Sequence, residues 1–306
     1  MKLSVVSHRG SEDKPAVVFI HGLGMNKDIW INPLNSRILG GQFPLKVLLG
    51  KMFPGEHLPE TLYDDLRRKD YSVITWSQKR PAGSIDAVIP ELDEVVMKAQ
   101  EMTNAGIILI GHSRGGLIGR KYLSEKKGSI KGLITISTPH KGSSIAGIVK
   151  YLSPLVSMLD ALIPDGDKGT LSFSIKRIFE FLRSRSLKEL LPGSNFFRSL
   201  KDGPAEGINY ASIGGTNPTL FTFRNMSFPD AFEKIIPGNL YPEEMKKGKG
   251  DGLVSAESSA FPWGEAHYNF NSNHVEILFD QSARDTLVRI IDRICFFSRI
   301  RQIPSV

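Results

Sequence analysis

One cysteine, Cys295, occurs among 306 residues, which excludes an intramolecular disulfide and a zinc site built from thiolates. A chain with no disulfide fits a reducing compartment. No apolar run approaches the roughly 20 residues that span a bilayer. Met1 to Arg9 holds one early lysine but neither a sustained apolar stretch nor a small-residue cleavage pattern, so it does not read as a secretory signal. The expected location is the cytoplasm, with a removed leader as the alternative. The excess of one charge sign is small too. Lys and Arg outnumber Asp and Glu by 39 to 32, a net charge of +7, and without aromatic residues clustered among the basic ones no nucleic-acid partner is expected. Internal repeats, low-complexity tracts and heptad arrays are missing as well. What remains is 41% apolar and 23% charged, ordinary for a globular chain and too apolar for a disordered one.

Short apolar runs recur with helical stretches between them. Val17 to Ile20, Val73 to Trp76, Ile107 to Ile110 and Leu133 to Ile136 are each about a strand long, rich in β-branched residues and apolar on both faces. Such runs predict parallel strands covered on both sides. Ile85, Val88, Ile89, Leu92, Val95, Val96 and Ala99 form one helical stripe within Ile85 to Met102. The alternation predicts an α/β protein with a mostly parallel sheet. Ile208 to Ile213 and His267 to Phe270 are later strand candidates, and a helix is expected from about Ser282 to Phe297.

Two stretches break the alternation. Residues 29–59, rich in Gly, Pro and Leu, read as a loop-and-cap insertion before a helix over Glu60 to Lys69. Residues 141–207 carry three short amphipathic segments: Ile145, Ile148, Val149 and Leu152; then Val156, Leu159 and Ile163; then Ile175, Ile178, Phe179 and Leu182. Ser153 as N-cap and Pro154 at the first helical position separate the first two. The expected domain plan is a core of 1–140 and 208–306 with a helical lid at 141–207.

Gly111-His112-Ser113-Arg114-Gly115 matches the G-x-S-x-G elbow, in which a serine sits on a tight strand-to-helix turn. The pentapeptide alone is a weak signal. Its setting is stronger, with a buried strand directly before it and a helix, Gly116 to Ser124, directly after. The glycines leave room where side chains would strike neighbouring strand and helix.

A serine hydroxyl needs a base to take its proton, and the base needs a carboxylate to orient it. On sheets carrying this elbow the chain order is serine, acid, histidine. Only His140, His267 and His274 follow Ser113. No loop acid lies between Ser113 and His140, and His267 begins a strand candidate. His274 follows a polar loop, Asn271 to Asn273, where a base at the sheet's edge belongs. Asp251, between glycines and before Leu253 and Val254, reads as the acid on a tight turn after a strand; Asp230, Glu243, Glu244 and Glu257 are its rivals. An oxyanion needs two backbone N–H donors. One is expected from Arg114, the residue after the serine, and the other from Leu23, with Gly24 as the alternative, in His21-Gly22-Leu23-Gly24 after the first buried strand. His21 and His112 read as structural, bonding loop backbone.

Together with Thr138-Pro139-His140-Lys141-Gly142-Ser143, Asp251-Gly252-Leu253-Val254 and Asn273-His274-Val275, these segments resemble the α/β-hydrolase-fold lipases and esterases. The closest likeness is to bacterial triacylglycerol-lipase-like proteins and GPI-inositol-deacylase-like hydrolases. The resemblance implies a mostly parallel central sheet with helices on both faces and a helical lid insertion. It implies Ser113 as nucleophile, Asp251 as acid, His274 as base, Leu23 and Arg114 as oxyanion donors, and no cofactor.

Several bacterial lipases have Gln or Met after the serine, where this chain has Arg114. A cation there favours a negatively charged substrate if it faces the site; the simpler reading is an arginine bonding structure elsewhere. His57, Glu60 and Asp64 have only loose helical spacing, so no metal site is expected. Lys176 to Glu189 carries an excess of basic residues, which reads as a solvated face or as a contact with anionic lipid at the membrane periphery. The expected activity is serine carboxyl-ester hydrolysis of a hydrophobic ester or lipid. Acyl transfer, thioester or amide cleavage, and a silent scaffold are the alternatives.

Overall fold

The computed structural model describes residues 2–38, 41–42, 59–126, 128–145, 147, 185–223, 226–229, 233, 236 and 238–300. Its main sheet consists of β1 (Ser4–His8), β2 (Ala16–Ile20), β3 (Val73–Ser77), β4 (Ile107–His112), β5 (Ile130–Ile136), β6 (Asn209–Gly215) and β7 (Ala266–Phe270). The spatial order is β1-β3-β2-β4-β5-β6-β7, and within this sheet only the β1–β3 pairing is antiparallel. Every residue of β2 and β4 is buried, as unbroken apolar runs require when helices cover both faces. This is the α/β-hydrolase arrangement the sequence predicts.

The edge strand β1 was not expected. Ser4 and Ser7 are exposed and Val5, Val6 and His8 half-buried, so it offers no continuous apolar run. Its place comes from pairing with β3, Ser4 opposite Ser77 through His8 opposite Val73.

The described helices include α1 (Leu62–Arg68), α2 (Ile89–Gln100), α3 (Arg114–Glu125), the short α4 (Arg185–Glu189) and α5 (Asn195–Ser199), and α6 (Gln281–Ile300), besides single turns at Asp28–Ile31 and Ala256–Ser259. All seven residues of the stripe read from Ile85 to Ala99 are buried. The α-helix proper starts only at Ile89, after a 3-10 turn over Asp86–Val88. Pro90 has no N–H to donate and fits only in a first turn. Thr61 caps α1, its Oγ1 accepting the Asp64 N–H at 3.2 Å. Arg284 of α6, 3% exposed, clamps that helix to the start of α1 by donating to Asp65 and, at 2.9 Å, to Glu60.

Residues 39–40, 43–58, 146 and 148–184 lie outside the described residues. With them lie most of the cap-like insertion, His57, and the three amphipathic stripes beyond Ile145. No described helix is long and apolar enough to cross a membrane.

The topology fixes where a ligand can enter. From β2 the chain crosses to β3 on one side, and from β3 it returns to β4 on the other side of β2. Loops leaving the carboxyl ends of the adjacent strands β2 and β4 therefore diverge and open a crevice between them. Those loops are His21 to Gly24 and the turn at Ser113.

Candidate active site

Ser113 alone joins β4 to α3, at φ 53° and ψ −126°. That conformation is sparsely populated for a residue with a Cβ and persists only where its surroundings hold it. Here the Ser113 N–H donates to the Ile136 carbonyl at 2.8 Å, and its carbonyl accepts from Thr138 Oγ1 at 2.8 Å. The flanking glycines have no spare room. A Cβ on Gly111 would lie 2.4 Å from the Gly116 nitrogen, and one on Gly115 2.3 Å from the Ile20 carbonyl oxygen. Both obstacles are backbone. Gly115→Ala should therefore destabilise the fold by roughly 1–3 kcal/mol, read as a lowered urea midpoint; an unchanged midpoint would show that β2 and α3 separate freely.

His274 lies in the loop between β7 and α6. Its Nδ1 is 2.9 Å from Asp251 Oδ2, with the side chains 3% and 1% exposed. Asp251 Oδ1 accepts the N–H groups of Leu253 at 3.0 Å and Val254 at 2.7 Å. The turn holding this carboxylate is closed by a bridge between Gly250 and Ser255. Two backbone hydrogen bonds fasten it further, from the Asp251 N–H to the Val254 carbonyl and from the His274 N–H to the Asp251 carbonyl, both at 3.0 Å.

The route to Asp251 differs from the expected one. No strand of the main sheet runs into it; a 3-10 turn over Glu243–Met245 and further turns do. It nevertheless sits at the end of β6 in space, since a Cβ on Gly215 would be 2.7 Å from Asp251 Cβ. The two lie 36 positions apart in sequence, and the Gly248 N–H donates to the Thr216 carbonyl at 2.9 Å beside them. Of the rival acids, Glu243 pairs with Lys246 and Lys249, Glu244 accepts from the Ser144 N–H and hydroxyl, and Glu257 pairs with Lys141. Asp230 is outside the described residues.

Ser113, His274 and Leu23 line one small recess with Pro139, Ser143, Ile145, Leu187, Leu190, Leu253 and Val254. Its lining is largely apolar and its free volume is about 20 Å³, room for about one water molecule. The Gly24 N–H is held by the Pro81 carbonyl at 2.8 Å. Among the described residues nothing takes the N–H of Leu23 or of Arg114. Gly22 lets its loop pass close to the serine, since a Cβ there would be 3.2 Å from Ser113 Cβ.

The Arg114 side chain is fully buried and outside the recess lining. Its Nη1 donates to Gln78 Oε1 and the Pro81 carbonyl, each at 3.2 Å, and its Nη2 to the Gly83 carbonyl at 2.6 Å. Burial pulls its pKa down to about 10, so it stays cationic at neutral pH. This is the arginine that bonds structure elsewhere, not a charge facing a substrate.

Four other histidines hold structure. His21 Nδ1 donates to the Gly22 carbonyl at 3.0 Å while Nε2 accepts the Gln78 N–H at 3.1 Å; burial pushes its pKa down to about 4. His112 Nε2 donates to the His274 carbonyl at 3.0 Å, the two rings are 4.9 Å apart, and burial drives the His112 pKa well below the usual imidazole range. His140 bonds Thr135 Oγ1 at 2.9 Å and is depressed in the same way. His267 is 2.9 Å from Ser212 Oγ. Glu60 is engaged by Arg284 and Asp64 by Thr61. Among the described residues no group of three His, Cys, Asp or Glu is placed to hold a metal.

A family model described as palmitoyl protein thioesterase matches residues 16–198, more than half of the chain. The chain belongs to the palmitoyl protein thioesterase family. It is a hydrolase of the esterase, lipase and thioesterase kind. The family match runs from the first residue of β2 into α5, so it contains Leu23, Ser113 and Arg114 but ends before Asp251 and His274. Solved structures agree on the fold. The mature form of Bacillus licheniformis lipase BlEst2 has a TM-score of 0.60 at 13% identity, covering 94% of this chain and 97% of that one. A carboxyl esterase of metagenomic origin gives 0.54 at 13% identity, over 94% and 77%. No curated protein matches the sequence. Sequence reading overlooked Gln78, whose position just beyond a buried strand's carboxyl end was the available signal.

Proposed function

We propose that the protein hydrolyses esters of hydrophobic acyl groups through an acyl-enzyme on Ser113. The carrying observation is the 2.9 Å contact between His274 Nδ1 and Asp251 Oδ2 in a loop that shares its recess with a strained, partly exposed serine. Asp251 holds the Nδ1–H tautomer, leaving Nε2 to take the Ser113 proton as Oγ attacks the acyl carbon. The N–H groups of Leu23 and Arg114 receive the oxyanion. His274 returns the proton to the departing alcohol, and water repeats the sequence to release the acid. Residues 141–207 serve as the lid, a reading supported by Ile145, Leu187 and Leu190 among the apolar lining. An acyl chain needs that lining to part, because the free space takes only about one water molecule.

A thioester is the second reading, favoured by the family match. The same attack and the same oxyanion donors serve, with a thiol as leaving group. The test is parallel turnover of p-nitrophenyl esters from acetate to palmitate and of acyl thioesters of matched length. Rising kcat/KM with chain length is expected, and the better leaving-group class decides between the two readings. Confinement of activity to acetate would sink the hydrophobic-acyl reading, and no turnover in any arm would sink the hydrolase.

A further inference from the structure

We infer that the Arg114 side chain is a positioning residue that holds the oxyanion loop in register with the nucleophile. This rests on the proposed acyl hydrolase, and it assigns to the guanidinium a task separate from that of the Arg114 N–H.

Two bonded routes leave Arg114 and grip the loop on either side of Leu23. In the first, Nη1 donates to Gln78 Oε1 at 3.2 Å, and Gln78 Nε2 donates in turn to the His21 carbonyl at 3.1 Å. A second grip on His21 comes from the Gln78 N–H, 3.1 Å from His21 Nε2. In the other route, the Pro81 carbonyl accepts from both Nη1 at 3.2 Å and the Gly24 N–H at 2.8 Å. Gly24 has φ 72°, a left-handed conformation that glycine adopts without strain. Nη2 pins the same strap further on, at the Gly83 carbonyl, 2.6 Å away. Gly22 and Leu23 are thus bracketed between two positions tied to one side chain.

That side chain springs from the residue after the nucleophile. Ser113 and the Arg114 N–H sit at the start of α3, while the Leu23 N–H sits on a loop from another strand. An oxyanion hole works only when both donors point at one oxygen without rearranging. A planar fork with fixed donor directions suits the task better than a flexible ammonium, because it can bind two carbonyls at a set angle. Burial of Arg114, His21, Leu23 and Gln78, none more than 4% exposed, keeps water from competing for these bonds. A buried cation bonded to neutral oxygens is expensive to keep, which argues that the geometry it enforces matters.

Arg114→Met and Arg114→Lys both keep the N–H of residue 114, so they separate side chain from donor. Active sites are counted with a fluorophosphonate, and kcat and KM are measured per titrated site with the preferred ester. Arg114→Met is expected to lower kcat by roughly 10- to 100-fold, the scale of a misplaced reacting group, with KM little changed. Affinity for an acyl-chain boronic acid, which mimics the tetrahedral state, should fall in step. Arg114→Lys should lie between Met and the natural arginine. Loss of folded protein alone would reduce the titrated sites and leave kcat per site unchanged, and that result overturns the inference. If Met fails to fold, full kcat and boronate affinity in Arg114→Lys overturn it equally. A natural protein that neither titrates nor turns over esters sinks the hydrolase and the positioning role together; an active one with indifferent variants sinks the positioning role alone.

Discussion

Ser113→Ala is expected to remove turnover of hydrophobic acyl esters by at least roughly a thousandfold while leaving the thermal midpoint nearly unchanged. The elbow is held by backbone, through the Ser113 N–H to Ile136 and the Ser113 carbonyl from Thr138, and those bonds survive loss of Oγ. His274→Ala should be as damaging, and the double variant no worse than either single one, because the groups act as a unit. Asp251→Asn is the more informative change. Its amide oxygen can still accept from Leu253 and Val254, but its NH₂ then faces His274 Nδ1, 2.9 Å away. Two donors cannot share that contact, so the imidazole is driven to the wrong tautomer, with an expected loss of roughly 10⁴-fold in kcat. Assays with p-nitrophenyl esters and fluorophosphonate labelling read all of these. Unchanged turnover in Ser113→Ala would remove that residue from the chemistry, and retained activity in Asp251→Asn would mean that another group orients His274.

The sequence carried the central sheet because its middle strands are buried on both faces and therefore written as unbroken β-branched runs. It did not carry β1, an edge strand with exposed serines that is defined by its partner, not by its own pattern. The elbow was legible for a related reason. Gly111 and Gly115 mark two backbone contacts too close for any Cβ, and such contacts leave a fixed trace in the residues allowed. Asp251 was legible by chain order and glycine flanks, but not by its place, since a carboxylate brought to the end of β6 from 36 positions further along the chain has no local signature. The least legible feature is the destination of the Arg114 side chain. A sequence shows a cation beside a serine. That the cation bonds structure elsewhere is the simpler sequence reading; only the fold shows that its partners are Gln78 and the carbonyls of Pro81 and Gly83.

The protein should lose stability steeply on mild acidification, because three imidazoles are buried in the neutral form. Burial lowers the pKa of His21 from 6.5 to about 4, and it drives His112 and His140 well below 6.5. An unfolded chain binds protons on these rings at about pH 6.5, and the native state does not. Stability is therefore greatest above pH 6.5 and falls with pH until the native pKa is reached. For His21 alone the loss by pH 5 is roughly 2 kcal/mol, a large share of the roughly 5–15 kcal/mol that holds a typical domain together. Burial raises the carboxyls of Glu189 and Glu276. They act in the opposite sense, since the folded state binds their protons more readily, and they offset part of the loss near the acid end of the range. Urea unfolding from pH 8 to pH 5 should give a midpoint that is flat above about pH 7 and drops below it. His140→Gln is the control, because His140 lies against Thr135 and Phe261 rather than in the recess. It should reduce the slope of stability with pH by up to one proton, about 1.4 kcal/mol per pH unit, while leaving His21, His112 and the less buried His267, whose pKa burial also lowers, to titrate. A midpoint that stays level down to pH 5 would mean that these histidines take up protons in the folded protein, and their neutral burial would be refuted.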